Sequence, residues 1–293
     1  MKGQWRAEAA LAVIALVWGT TFVVIKQALA DISPLLFIAL RFTLGTAALW
    51  AVVRTRTGGV PDSRAEWRGG ILSGLLLFAG YALQTIGLTL TTPSKSAFLT
   101  GLYIVLVPLL GAAVYRKEPH PSEWLGVLAA AAGVGILTVP GADFHINWGD
   151  VLTLGCAVAF AGQILVLDRY ARRGRSERLA VIQLGMVAAA SAAGFGLEKP
   201  FVVWSGAVVF ALLVTGLLAT AAAFAVQAWA QARTTAARAA LIFALEPAFA
   251  AVTSVAAGAE PVTGGLLAGC GLILAGIAVV ELKPLRFGEH PSK

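Results

Sequence analysis

Long runs of apolar residues, separated by short polar segments, extend through almost the whole chain. Ten of these runs approach the ~20 apolar residues that a helix needs to cross a bilayer core of ~30 Å. Backbone groups inside lipid must be hydrogen-bonded within the segment, and the runs lack the period-of-two alternation of membrane β-strands. The pattern therefore predicts an all-α, polytopic integral membrane protein with ten transmembrane helices. The predicted spans are 8–27, 33–53, 67–89, 94–115, 122–140, 149–168, 178–197, 203–230, 236–257 and 262–282.

The composition excludes an ordinary soluble enzyme. Hydrophobic residues make up 58% of the chain and charged residues 13%, with a mean hydropathy of +0.83. Soluble domains average about 45–50% apolar and about 25% charged residues. The net charge of +7 does not indicate a nucleic-acid partner, because lysines and arginines form short clusters between the apolar runs. We therefore expect the lipid bilayer, and no nucleic acid, as the surrounding partner.

The distribution of positive charge predicts the orientation. With the amino terminus in the cytoplasm, seventeen lysines and arginines fall in inside segments, and only Lys199 falls in an outside loop. Cytoplasmic loops carry the excess of positive charge in membrane proteins. Both termini are therefore predicted to be cytoplasmic. The first apolar run lacks a clear processing site and is expected to remain as a helix.

An internal repeat relates the two halves of the chain. A shift of about 142 residues places Trp18-Gly19 on Phe160-Ala161, and Tyr81-x-x-Gln84 falls one residue away from Phe224-x-x-Gln227. We therefore divide the chain into a first five-helix repeat (1–146) and a second (147–293). Because five is odd, the second copy must be inverted in the membrane, and inverted repeats typically enclose the substrate site of a transporter. A duplicated scaffold without transport remains the alternative.

Among the charged residues of the predicted spans, we assign five to membrane depth. Charges at membrane depth are costly and usually face an interior cavity. Lys26, Lys95 and Arg238 lie near helix ends, from which they could also extend to the membrane surface. Arg41 lies deeper and has either a structural or a substrate-binding role. Glu246, the one carboxylate well inside a predicted helix, is a candidate for proton coupling, or else forms a fixed ion pair.

Aromatic and amide residues suggest a cavity and a gate. Tyr81 with Gln84, and Phe224 with Gln227, each lie three residues apart and so share one face of a helix. Lipid-facing placement is the alternative for any single aromatic residue. The predicted cavity residues are Trp18, Tyr81, Gln84, Phe98, Tyr103, Phe160, Gln163, Phe224, Gln227 and Phe243.

Two prolines match across the repeat within predicted helices, Pro108 and Pro247. Each leaves the carbonyl four residues earlier, on Ile104 and Phe243, without its helical partner. Paired hinges and static kinks are both compatible with this pattern.

Chemistry that needs a metal or a catalytic group has little support in the sequence. The two cysteines lie in different apolar runs, and the three histidines lie in connecting or terminal segments. A disulfide framework, a metal site and a cofactor are therefore not expected. We predict that the chain is not an enzyme.

Several short motifs resemble the EamA-type transporters of the drug/metabolite transporter superfamily. They are Trp18-Gly19-Thr20-Thr21-Phe22, Ser33-Pro34 followed by Arg41, Ser96 to Tyr103 leading to Pro108, and Leu245-Glu246-Pro247. Phe160-Ala161-Gly162 departs from the pattern at the place of the Trp-Gly pair. The resemblance implies ten helices in two repeats, a bacterial inner-membrane location and export of metabolites, notably amino acids.

Together these features predict a secondary transporter that exports amino acids, aromatic or other apolar ones first. Substrate passage by alternating access is expected, with the proton as a candidate coupling ion and facilitated export as the alternative. Export of drugs or organic cations, a channel and a non-transporting scaffold are the competing functions. The oligomeric state is open, with a monomer favoured.

Overall fold

The computed structural model describes residues 4–57, 63–91, 93–115, 121–138, 147–194, 198–256 and 262–281. Within these ranges the regular structure is helical, and the single β-bridge, between Ile32 and Val202, is isolated. The helices are α1 (Gln4–Ala28), α2 (Pro34–Thr57), α3 (Arg64–Leu90), α4 (Pro93–Gly101), α5 (Tyr103–Tyr115), α6 (Pro121–Thr138), α7 (Trp148–Tyr170), α8 (Ser176–Ala193), α9 (Gly206–Leu213), a π-helical segment (Val214–Ala222), α10 (Ala223–Gln231), α11 (Ala236–Phe243), α12 (Leu245–Ala256) and α13 (Gly264–Glu281).

These elements account for the ten predicted spans. Five spans are individually long and apolar enough to cross a membrane: α1, α2, α3, α7 and the continuous stretch from α9 through α10. Three more spans are the 18-residue helices α6, α8 and α13. The remaining two are interrupted helices, α4 with α5 and α11 with α12. The all-α fold with ten membrane helices is therefore confirmed.

The two interruptions occur at Leu102 and Ala244, which are 142 residues apart. The carbonyl of Leu102 accepts hydrogen bonds from the next turn, at 3.0 and 3.1 Å, so the chain resumes as a helix at once. Pro108 lies inside α5, as expected. Pro247 does not lie well inside a helix: it is the third residue of α12, where its missing N–H removes no intrahelical bond.

Polar contacts at the helix ends show the inversion of the second half. Glu8, in the first turns of α1, bonds to Arg238 in α11 at 2.9 Å. Asp150, in the first turn of α7, bonds to Thr91 at the end of α3 at 2.6 Å. Because α3 begins at the same end of the bundle as α1, its last residue marks the other end. The first helices of the two halves, α1 and α7, therefore begin at opposite ends of the bundle. The end at which α1 begins is here called the amino-terminal end, and the end at which α7 begins is called the opposite end.

Close helix contacts use glycine where two backbones meet. A methyl group on Gly19 of α1 would lie 2.5 Å from the carbonyl oxygen of Glu246, so α1 can approach α12 this closely only without a side chain. Gly133 of α6 and Gly276 of α13 make similar approaches to one another's helices. Small residues are the usual means of packing helices in lipid. The first contact fixes the depth of Glu246 in the central part of the bundle.

Candidate functional site

A cavity lies at the centre of the bundle, and its empty space, together with the solvent-filled opening, amounts to about 680 Å³. Both halves contribute to its wall, through α1 to α5 in the first and α7, α10, α11 and α12 in the second. Eleven of the predicted site residues line the cavity: Trp18, Arg41, Tyr81, Gln84, Tyr103, Phe160, Gln163, Phe224, Gln227, Phe243 and Glu246.

The other predicted site residues lie elsewhere. The side chains of Lys95 and Phe98 fall outside the part of the chain that the structure describes. Arg238, Pro108 and Pro247 are described but do not line the cavity.

Sequence reasoning missed several lining residues, among them Thr21, Phe22, Thr85 and Leu88. Thr85 and Leu88 follow Tyr81 and Gln84 by four residues, so helical periodicity alone could have placed them on the same face. Thr21 and Phe22 follow Trp18 by three and four residues on α1 in the same manner. Extending the predicted cavity faces of α1 and α3 by one helical turn would therefore have included these four residues.

Aromatic rings form one wall of the cavity. The ring of Trp18 lies 5.3 Å from that of Phe224 and 5.1 Å from that of Phe243, measured between centroids. Tyr81 makes edge-to-face contacts with Phe42 at 5.0 Å and with Phe160 at 5.3 Å. Such tilted and edge-to-face pairs are the preferred arrangements of aromatic side chains. The wall is therefore a connected set of rings supplied by both halves.

Arg41 reaches the cavity from α2 and is only 2% exposed. Its Nε donates to the hydroxyl of Thr220 at 2.8 Å. One terminal nitrogen makes two long contacts of 3.4 Å, to the hydroxyl of Tyr81 and the carbonyl of Ala219. The guanidinium also lies 4.8 Å from the centroid of the Tyr81 ring, a cation–π contact. All of these partners are neutral.

The π-helical segment explains how these partners reach Arg41. Its carbonyl at Ala219 accepts from the indole N–H of Trp18 at 2.9 Å, so the segment is bonded to α1 as well as to α2. A methyl group on Gly45 of α2 would lie 2.6 Å from the methyl carbon of Thr220, which shows how closely α2 passes this segment. Local π-winding is rare and occurs frequently at functional sites.

Glu246 lies in the first turn of α12, directly after the interruption at Ala244, and is 9% exposed. Its carboxylate accepts a long hydrogen bond of 3.5 Å from the hydroxyl of Tyr103. Among the described residues, no basic side chain lies within ion-pair distance of Glu246, and no acidic one within that distance of Arg41. The fixed ion pair considered for Glu246 is therefore not formed within this part of the chain.

Buried amides extend from the cavity into the second half. Gln227 donates to Gln163 at 3.4 Å, and Gln163 donates to Gln183 of α8 at 3.3 Å. Gln84, the counterpart of Gln227 in the first half, bonds instead to Thr100 at 3.1 Å. The two residues that match across the repeat therefore have different partners.

The cavity extends toward the opposite end of the bundle. Phe22, Ile25, Thr85 and Leu88 line it from the second halves of α1 and α3. Lys26, expected to reach the membrane surface, donates instead to the last carbonyls of α3, at 2.5 Å to Leu88. At this end of the cavity, the ammonium group of Lys26 therefore joins α1 to the backbone of α3.

The amino-terminal end is filled. Leu11 and Ile14 of α1 are buried in an apolar cluster with Val107, Ala239 and Phe243. Nearer the start of α1 lies a set of polar residues, here called the amino-terminal polar cluster: Gln4, Glu8, Thr234 and Arg238. The carboxylate of Glu8 accepts from the other three side chains, at 2.8, 3.1 and 2.9 Å respectively. This cluster joins α1 of the first half to the α10–α11 connection of the second.

A second set of polar contacts reinforces the same end. Arg172, just after α7, pairs with Asp168 at 3.2 Å. It also donates to the carbonyl of Ala232 at 3.3 Å and to that of Thr234. The connections after α7 and α10 are therefore bonded to each other beside the polar cluster.

Comparison with known proteins agrees with this architecture. A solved crystal structure superimposes with a TM-score of 0.81 at 26% identity, covering 97% of this chain and 99% of that one. A protein of Archaeoglobus fulgidus described as an uncharacterized transporter is 33% identical over 94% of this chain and 86% of its own length. The uncharacterized transporter YvbV of Bacillus subtilis is 27% identical over 95% and 92%. The EamA-like transporter family profile matches residues 5–139 and 147–282, so the chain belongs to the EamA-like transporter family.

Proposed function

We propose that this membrane transporter exports amino acids, with aromatic or other apolar side chains preferred, by alternating access at the central cavity. The observation that carries the proposal is the aromatic wall of a cavity that lies between two inverted halves. Inverted-repeat transporters hold their substrates near the bilayer midplane between the repeats. A wall of tilted rings favours a substrate that can itself present an apolar or aromatic face.

The two ends of the cavity support alternating access. The excess of lysine and arginine in the segments at the amino-terminal end indicates that this end is cytoplasmic. We therefore assign the structure to an outward-directed state of an inner-membrane protein, closed at the cytoplasm by the apolar cluster and the amino-terminal polar cluster. Opening toward the cytoplasm requires α1 to separate from the α10–α11 connection, which breaks the bonds of Glu8.

Glu246 supports a coupling role for the proton. It is a buried carboxylate in the cavity wall, beside the hydroxyl of Tyr103, and it lies in the first turn after a helix interruption. Intramembrane carboxylates of transporters commonly serve as proton sites. A proton taken up from outside and released inside would drive export of a substrate that competes for the same cavity. Facilitated export down the substrate gradient is the alternative, and Glu246→Gln distinguishes it from proton coupling.

Counterflow in proteoliposomes tests the proposal. Vesicles preloaded with one unlabelled solute from a panel of amino acids and organic cations are diluted into a trace of the same labelled solute. We expect saturable accumulation with apolar and aromatic amino acids and none in protein-free vesicles. Accumulation of organic cations alone would show that these cations, and not amino acids, are the substrates. A flux that does not saturate would indicate a channel.

A further inference from the structure

We propose that Arg41 is the anchor for the carboxylate of the transported molecule, so that the substrates are carboxylates and above all zwitterionic amino acids. This inference rests on the proposed export function, because it assumes that the central cavity is the substrate site. It goes further by naming the group that binds, the residue that binds it and the analogues that the cavity rejects.

The first step is the charge of Arg41. The residue is 2% exposed, yet each of its partners is neutral: a threonine hydroxyl, a tyrosine hydroxyl, a backbone carbonyl and aromatic rings. Buried charges are normally paired, because removal from water is costly without an opposite charge. Within the described residues, no carboxylate lies within ion-pair distance of the guanidinium. A buried cation that faces a cavity without a counter-ion is suited to an anionic ligand.

The second step is the geometry of the guanidinium. Thr220 holds Nε, and Tyr81 and Ala219 contact one terminal nitrogen, Nη2. The other terminal nitrogen, Nη1, has no hydrogen-bond partner among the described residues. The plane is further oriented by the Tyr81 ring at 4.8 Å and the Phe42 ring at 5.4 Å. The free N–H groups of Nη1 on this positioned guanidinium can donate to a substrate carboxylate, and Nη2, held only by two contacts of 3.4 Å, lies beside them.

The third step distinguishes a zwitterion from a simple anion. Glu246 lines the same cavity and has no basic partner among the described residues. The cavity therefore holds a guanidinium and, whenever Glu246 is ionised, a carboxylate that is not paired with it. A molecule with a carboxylate and an ammonium group complements both groups when Glu246 is ionised, whereas a multiply charged anion such as phosphate would be repelled by that ionised carboxylate. The aromatic wall beside Arg41 leaves the apolar side chain as the third point of contact.

The test compares phenylalanine with phenylalaninamide, which keeps the ring and the ammonium group but lacks the carboxylate. In wild-type proteoliposomes we expect the amide to exchange with phenylalanine roughly 10- to 100-fold less effectively, the range for loss of a hydrogen bond to a charged group. Inorganic phosphate should not compete. Equal exchange of phenylalanine and its amide would overturn the anchor while leaving export intact.

Variants of α2 complete the test. Arg41→Gln should raise the half-saturation concentration for phenylalanine roughly 10- to 100-fold and abolish the preference over the amide. Arg41→Lys keeps the charge without the planar fork and should retain part of the preference. Arg54→Gln, the same substitution at an exposed position of the same helix, should change neither quantity. An unchanged half-saturation concentration and preference in Arg41→Gln would refute the anchor.

Thermal stabilisation of the purified protein separates the two possible failures. Phenylalanine should stabilise the wild-type protein and Arg54→Gln, and it should stabilise Arg41→Gln much less. If this pattern holds but no panel member exchanges in vesicles, export is wrong and the anchor stands. If phenylalanine and its amide stabilise the wild-type protein equally, the anchor is wrong. If phenylalanine neither exchanges in vesicles nor stabilises the protein, both the export function and the Arg41 anchor are wrong.

Discussion

The two ends of the central cavity are built differently, although the halves that form them are related by a repeat. At the amino-terminal end, Leu11 and Ile14 are buried in an apolar cluster, and Glu8 gathers three polar side chains. At the opposite end, Phe22 and Ile25 line the cavity itself. Related sequences therefore take unequal conformations at the two ends, an asymmetry that the proposed alternating access requires of each single state.

The difference also separates residues that look equivalent in sequence. Gln84 and Gln227 occupy matching positions, but Gln84 bonds to Thr100, whereas Gln227 bonds to Gln163 and through it to Gln183. The interruption at Leu102 is followed by Pro108 inside a helix, whereas that at Ala244 is followed by Pro247 in a first turn. A repeat therefore predicts which residues occupy the site more reliably than it predicts what each contacts.

Joining α1 to the α10–α11 connection should have the largest effect. Cysteines at positions 8 and 238, linked by a reducible bifunctional thiol reagent, should lower exchange about 10-fold or more, because opening at this end requires their separation. Reduction should restore activity, and each single-cysteine variant treated in the same way should remain active. Full exchange in the linked protein would show that this end does not open.

Glu246→Gln should have the next largest effect on exchange, because Glu246 lines the cavity between the two ends. If its protonation couples transport, exchange that varies with external pH in the wild-type protein should become independent of pH. The measurement is counterflow in vesicles across a series of external pH values at constant internal pH. A pH profile identical to that of the wild-type protein would remove Glu246 from the coupling step.

Glu8→Gln should have a smaller effect, confined to the amino-terminal end. Partly exposed ion pairs contribute about 0–1 kcal/mol, so the balance between the two states should shift by up to roughly fivefold toward cytoplasmic opening. Labelling of a cysteine at position 11 from the cytoplasmic side reports this shift. Unchanged or slower labelling would indicate that the polar cluster does not hold this end closed.

Lys26→Met should have the smallest effect and serves as the comparison at the opposite end. Loss of the ammonium contacts with the carbonyls of Leu88 and Thr91 removes bonds within the first half only. Labelling at position 11 should therefore stay within about twofold of the wild-type rate. An increase as large as that of Glu8→Gln would show that the two ends are not independently controlled.

Much of the fold could be predicted because its signals are local and repeated. The length of the apolar runs predicts the spans, and the odd number of helices per repeat predicts the inversion. The aromatic positions of the cavity also follow from the repeat: Tyr81 and Phe224, matched in sequence, lie 6.2 Å apart between ring centroids. Residues one turn beyond each predicted face, such as Thr85, were accessible to the same reasoning.

The remaining features depend on contacts between distant segments. The π-helical winding at Ala219 and Thr220 has no local sequence signal, and its bonds run to Trp18 and Arg41, about 200 residues away. The neutral surroundings of Arg41 follow from this packing and not from its neighbours in sequence. Under the proposed alternating access, the closed end would depend on the balance between two states of one sequence, and a hydrophobic pattern is the same in both.

Alternating access is tested most directly by labelling two positions of α1 in the same membrane, Ile25→Cys and Leu11→Cys. Without substrate, an impermeant maleimide should label position 25 from outside, and position 11 should resist the same reagent applied from the cytoplasmic side. Under conditions that drive cytoplasmic opening, labelling at position 11 should rise as labelling at position 25 falls. Simultaneous labelling of both positions, or labelling of both from the same side of the membrane, would contradict the account.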